Sequence, residues 1–213
     1  MYQVLIVDDH RLVRSGLRRL LDDVGHISVV GEAESGEDAI RLMKTCTPDV
    51  VLMDINMPGM GGMEATRRLL QAYPQIKIVV LSIFDAKPFP TSLMRVGAAG
   101  YLTKSCGISE IVNAIDAVCR GGRYISADVA PQLALALLPG TEESSLKKLS
   151  LRELQVLLMV VQGRNVQEIS SNLYLSPKTV STYRVRLFDK LAVQNDVELT
   201  HLAMRHGLIP VGL

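Results

Sequence analysis

Five short apolar runs punctuate the first 125 residues: VLIV at 4–7, SVVGEA at 28–33, VVLM at 50–53, IVVLS at 78–82 and GYLT at 100–103. They lack the polar alternation of a half-exposed strand, so each reads as a strand covered on both faces. Between them lie amphipathic stretches of helical period, such as HRLVRSGLRRLLDD after the first. Strand and helix in regular alternation predict an α/β doubly wound, five-stranded parallel sheet over residues 1–125.

The pattern then changes. RYISADVAPQLALALLPG leads into TEESSLKK, which follows Pro139-Gly140, is polar and has no apolar periodicity. Residues 126–148 are therefore assigned to a helix and linker. From 149 to 213 the strands are gone and four helices are expected. Ser150 with Glu153 forms a capping-box start for LRELQVLLMVVQG, and VQEISSNL is a short second helix. Ser176-Pro177 opens PKTVSTYRVRLFDKL, and Asn195 with Glu198 opens DVELTHLAMRHG. Only YLS separates the second helix from the third, the spacing of a helix-turn-helix.

Overall charge is uninformative, at 23 basic against 22 acidic side chains, but its distribution is not. Residues 1–125 hold 14 of each sign, whereas residues 145–213 hold 9 basic and 5 acidic. The third helix carries Lys178, Arg184, Arg186 and Lys190 against Asp189, a net +3 that suits a polyanion in a groove. With 48% hydrophobic residues the chain can bury a real core. No apolar run approaches the ~20 residues of a membrane span and no charged segment precedes one at the start, so a cytoplasmic protein with no membrane partner is expected. Cys46, Cys106 and Cys119 show no CxxC spacing and read as reduced packing residues.

Asp8 and Asp9 end the first strand. Two adjacent carboxylates at the end of a buried strand repel one another and are costly to desolvate, so a positive group must sit nearby. In a doubly wound sheet the carboxyl ends of the strands share one edge, which adds Asp54 from the third strand, Ser82 from the fourth and Lys104 after the fifth. Taken singly, Asp54 reads as a helix-capping carboxylate, Lys104 as a solvated charge and Tyr101 as a packed ring. Together, three carboxylates call for a divalent cation, and hard oxygen ligands suit magnesium.

VDDH, MDINMPGMGGMEATR, LS and GAAGYLTK, in that order, resemble the receiver domain of bacterial response regulators, a flavodoxin-like fold, across residues 1–125. The resemblance implies that Asp54 is the phosphoacceptor, taking a phosphoryl group from a sensor histidine kinase, which the likeness to the GacA/UvrY group described below makes one of the hybrid kind. It implies Mg2+ held by Asp9 directly, Asp8 partly through water, Asp54, and the backbone carbonyl of Asn56. Lys104 would pair with the phosphate, Ser82 would hydrogen-bond it, and Tyr101 would turn inward as Ser82 moves. Ile83 and Phe84, next along, would shield the acyl phosphate and give it a lifetime of at least minutes.

The string LSLRELQVL…EIS…LSPKTVSTYRVRLFDKL resembles the LuxR-type domain of the NarL/FixJ family. That implies a DNA-binding unit over 149–213, with base contacts from Ser181, Thr182 and Val185 and phosphate contacts from Lys178, Thr179, Arg186 and Lys190. Leu199, Leu202 and Ala203 of the last helix would pair two subunits, although core packing explains the same stripe equally well. KPFPTSLMRVGAAGYLTK and DVELTHLAMRHGL look closest to the GacA/UvrY group, which activates genes for small regulatory RNAs.

The expected function is a phosphorylation-activated transcriptional regulator of a two-component system, binding promoter DNA as a homodimer once phosphorylated, with RNA polymerase as a further partner. It is not expected to be an enzyme beyond slow self-dephosphorylation. A magnesium-dependent phosphatase would leave the capped basic helix without a use. The alternative from another class is a receiver-controlled protein-interaction module that never binds DNA.

Overall fold

A computed structural model describes residues 1–82, 89–131, 133 and 145–206. The chain divides into two compact units, Met1–Asp85 with Leu93–Pro131, and Ala86–Ser92 with Gln132–Leu213.

The first unit is built on a parallel sheet in the order β2-β1-β3-β4-β5-β6. Its strands are β1 (Tyr2–Val7), β2 (Ile27–Ala33), β3 (Val50–Asp54), β4 (Lys77–Ser82), β5 (Gly100–Thr103) and β6 (Tyr124–Ile125). The five apolar runs become the first five strands. The sixth is a correction to the expected five: two half-buried residues pair with Gly100 and Tyr101 of β5, too short a run to leave a periodic signal. Helices α1 (Arg11–Asp22), α2 (Gly36–Leu42), α3 (Gly61–Ala72), α4 (Phe89–Val96) and α5 (Ile108–Cys119) alternate with the strands. Val4, Ile6, Val50, Leu52, Val79, Leu81 and Leu102 pack with Leu21 of α1 and with Ile111, Ile115 and Val118 of α5, all buried. This explains the absence of polar alternation in the strands, since the interior faces of β1 and β3 meet helices on both sides.

In the second unit a 3-10 turn (Ser145–Lys148) precedes α6 (Leu151–Val161), α7 (Val166–Leu173), α8 (Pro177–Leu191) and α9 (Asp196–Arg205). Each start is chemically marked. Ser150 and Glu153 form the expected capping box, and Asn165 with Glu168 forms a second. The Ser176 and Asn195 side chains accept from the backbone N–H groups of Thr179 and Glu198. Val180, Leu187 and Leu191 turn inward as their spacing predicts, joining Leu154, Leu157, Ile169, Leu173 and Val193 in the core. The helices α7 and α8 both end on a residue in the left-handed region, Tyr174 (φ 50°) and Ala192 (φ 54°), where glycine is the usual occupant. The predicted linker TEESSLKK lies outside the described residues except for its last turn, as does Gly207, the expected stop of the last helix.

Candidate functional site

Parallel pairing brings the carboxyl ends of β1, β3, β4 and β5 to one edge. Asp8 and Asp9 follow β1, Asp54 is the last residue of β3, Ser82 the last of β4, and Lys104 follows β5. Asp8, Asp54 and Ser82 are fully buried, and Asp9 is half-buried. The positive group that the acidic pair requires is Lys104, whose Nζ lies 2.7 Å from Asp8 Oδ2 and 2.9 Å from Asp54 Oδ2. Its backbone N–H donates to Ser82 O at 2.7 Å, which ties the lysine to the end of the neighbouring strand.

Burial pushes the Asp54 carboxyl above its ordinary pKa, and Asp8 adds to the rise, against the opposing pull of Lys104 and the Asn56 amide. For Lys104, burial works against the ammonium, but Asp54 and Asp8 outweigh it and hold its pKa above the usual value. The Asn56 N–H donates to Asp54 Oδ1 at 3.0 Å, Lys104 Nζ faces Asp54 Oδ2, and His10 Nδ1 lies 2.9 Å from Asp9 Oδ1. Single ligand atoms from Asp8, Asp9, His10 and Asp54 all lie within 4.8 Å of one another. One ammonium serving several crowded carboxylates leaves negative charge over, so the donor set fits a hard divalent cation. Tyr101 of β5 is also fully buried, so its ring is inside the unit, while Ile83 and Phe84 lie outside the described residues.

Three supporting residues escaped the sequence reading. The Arg14 guanidinium donates to Asp8 O at 2.6 Å and fixes the turn after β1. His10 follows the two acids and faces them. Gly62, at the start of α3, lies so close to the phosphoacceptor candidate that a Cβ there would stand 1.8 Å from Asp54 O. Its signal was the glycine-rich MPGMGG, which fits a close backbone approach as well as a turn.

On α8, Lys178, Ser181, Thr182, Val185, Arg186 and Lys190 are exposed, and Thr179 is half-buried. Val185 is 58% exposed. The Ser181 and Thr182 hydroxyls donate back to the carbonyls of Pro177 and Lys178 at 3.0 and 2.9 Å. Their oxygens keep lone pairs facing outward. Not every basic residue is available. Arg184 pairs with Asp196, and Lys190 Nζ donates to Glu153 Oε2 at 2.7 Å and Lys148 O at 3.3 Å. Among the described residues, the charge that α8 presents outward without an internal partner is thus chiefly that of Lys178 and Arg186.

The last helix requires a correction. Leu199 and Ala203 are fully buried and Leu202 is 7% exposed, within the core of their own unit, so they cannot meet a second subunit without unfolding it. A stripe at i, i+3, i+4 reads the same for core and for interface. The outward residues of α9 are Val197, Glu198, His201 and Arg205.

Residues 4–116 match the family described as response regulator receiver domain, and residues 147–203 match bacterial regulatory proteins, luxR family. Response regulator GacA of Pseudomonas aeruginosa is 52% identical over 210 residues, 98% of each chain. Response regulator UvrY of Escherichia coli is 52% identical over 209 residues, 98% of this chain and 96% of that one. The chain is a LuxR-type response regulator. Its fold is shared by RcsB from Salmonella enterica serovar Typhimurium bound to promoter rprA in the presence of phosphomimetic BeF3-. That likeness has a TM-score of 0.69 and 25% identity, over 95% of this chain and 98% of that one. This response regulator is of the GacA/UvrY type, a DNA-binding regulator of transcription. Among its described residues no helix is long and apolar enough to cross a membrane.

Proposed function

We propose that Asp54 is the phosphoacceptor of this response regulator, taking its phosphoryl group from a sensor histidine kinase, and that phosphorylation drives a homodimer onto promoter DNA. The observation that carries this reading is the Asp54 carboxylate, buried at a strand end, with one oxygen held by the Asn56 amide and the other paired with the Lys104 ammonium at 2.9 Å. That oxygen would be the nucleophile once the Lys104 ammonium gives it up. Asp8, Asp9 and Asp54, with the backbone carbonyl of Asn56, would hold Mg2+, which when bound supplies charge neutralisation for the transferring phosphoryl oxygens. Lys104 is placed to exchange its contact with Asp54 for one with a phosphate oxygen. Ser82 would add a hydrogen bond, and the buried Tyr101 would report that shift as a two-state element. Self-dephosphorylation would be slow.

Residues 1–125 would act as the receiver, 126–148 as helix and linker, and 149–213 as the DNA reader. Ser181, Thr182 and Val185 would meet base edges, with Val185 suited to a thymine methyl. Lys178, Thr179 and Arg186 would hold phosphates, and Lys190 would contribute least because Glu153 already pairs with it. Pairing of subunits through α9 would use its outward side, centred on Val197 and His201. The likeness to GacA and UvrY extends the proposal to genes for small regulatory RNAs, to a hybrid kinase, to RNA polymerase as the final partner and to action in the cytoplasm.

The test is phosphorylation of the full chain with a small phosphodonor and magnesium, followed by binding to random duplexes. Wild type should take up one phosphoryl group and gain DNA affinity, and Asp54→Ala should do neither. Uptake by Asp54→Ala at the wild-type rate would refute the assignment, and a phosphorylated chain with no salt-dependent duplex binding would favour a protein-interaction module instead.

A further inference from the structure

The loop 56–60 between β3 and α3 begins with Asn56, whose N–H donates to Asp54 Oδ1 and whose carbonyl the proposed function gives to Mg2+. At its base the Gly62 N–H donates to Ile55 O at 3.1 Å. Its far end is Met60, the N-cap residue of α3, whose own side chain caps nothing. The acceptor for Met60 comes from another helix. Glu37, in the first turn of α2, takes the Met60 N–H on Oε1 at 2.8 Å.

Two glycines make room for this contact. A Cβ on Gly59, whose φ is 78°, would stand 2.9 and 3.0 Å from the two carboxylate oxygens of Glu37. A Cβ on Gly36 would meet Ala65 Cβ at 2.7 Å and Met60 Cγ at 2.8 Å. The start of α2 is therefore pressed against the loop and against α3, with no slack for a side chain at either point. Nor is Glu37 drawn off along its own helix, because Arg41, its i+4 neighbour, pairs with Asp38 at 2.6 Å. A carboxylate accepting a backbone N–H at a helix N-terminus forms a charge-assisted bond that the helix dipole favours.

We propose that Glu37 is a positioning residue for the phosphoacceptor pocket, holding the loop 56–60 so that the Asn56 carbonyl stays in place for the cation. The inference rests on the reading that the pocket binds magnesium, and its test separates the two. Magnesium is titrated calorimetrically into full-length wild type, Glu37→Asp, Glu37→Gln and Asp9→Ala. Glu37→Asp keeps the charge but is one methylene short of Met60, whereas Glu37→Gln keeps the reach and an acceptor oxygen. Glu37→Asp should lose about tenfold in magnesium affinity and Glu37→Gln less than about threefold. In metal-free Glu37→Asp the amide resonances of Asn56 and Met60 should both move, whereas a merely structural role would lower the urea midpoint and leave Asn56 where it was. Unchanged magnesium affinity in Glu37→Asp, or equal losses in both Glu37 variants, would overturn the positioning role, while binding lost in Asp9→Ala would still uphold the pocket. If wild type bound no magnesium, the pocket reading and the inference would fall together.

Discussion

The strand-end pocket of the receiver and the outward face of α8 both concentrate charge, but they treat it differently. In the pocket, three carboxylates from two strand ends are drawn to one edge, and the buried pair Asp8 and Asp54 shares a single ammonium. On α8, four basic residues arise from one helix, and two of them are used inside the unit, Arg184 by Asp196 and Lys190 by Glu153. The first arrangement keeps like charges close at a cost in stability, as functional sites do. The second neutralises half its charge to hold helices together and leaves the rest for a partner. A count of charges therefore overstates the DNA-facing charge of α8, while for the pocket it understates how strongly the charges interact.

Substitutions can break this contrast at either end. The largest effect is expected at Gly62. A Cβ 1.8 Å from Asp54 O forces α3 away from β3, so Gly62→Ala should destabilise the receiver by about 4 kcal/mol or more, read as a lower urea midpoint. Next is Lys104→Met, which leaves Asp8 and Asp54 buried side by side. Without divalent cations it should cost about 3 kcal/mol, and millimolar magnesium should restore more stability to this variant than to wild type. If magnesium stabilises both equally, the shared-charge account of the pocket is wrong.

On α8 a matched pair sharpens the comparison. Lys178→Ala should leave stability unchanged and lower the slope of log affinity against log salt by about 1. Lys190→Ala should hardly move that slope but should cost about 1 kcal/mol, because Glu153 is 2% exposed and loses its partner. Reversed outcomes would mean that Lys190 leaves Glu153 when DNA binds.

Acid titration offers the smallest effect. Glu64 of α3, hydrogen-bonded by Arg67 and then by Arg68, has its pKa lowered from 4.5 to about 2. A carboxylate depressed by folding contributes stability that is fully present above pH 4.5 and is lost as pH falls through about 2. Burial opposes the Glu153 carboxylate in the second unit, but Lys190 and Ser150 hold its pKa below the ordinary value, so the sign is the same there. Arg67→Ala should make the receiver's acid loss begin at higher pH, and Lys190→Ala should do the same for the second unit. An unshifted midpoint in either variant would remove that pair from the stability of its unit.

Much of this was legible before any coordinates. Strand ends could be read directly, and the parallel topology then forced Asp8, Asp9, Asp54, Ser82 and Lys104 to one edge. Helix caps were equally plain because each depends on residues three apart. What could not be read depends on contacts between distant elements. Gly62 is required by the backbone of a strand, the Lys190–Glu153 pair spans 37 residues, and β6 exists only because β5 offers it an edge. The stripe Leu199, Leu202, Ala203 had the right period but an undetermined partner, which burial resolved in favour of the core.

Tyr174 and Ala192 bracket α8, one before its cap and one at its end, both in a conformation that costs an L-residue roughly 1 kcal/mol. The reader is therefore not at its thermodynamic optimum. Glycine or asparagine at these two joints offers a route to a hardier scaffold with the outward face of α8 untouched, a starting point for re-targeting the protein to new promoters.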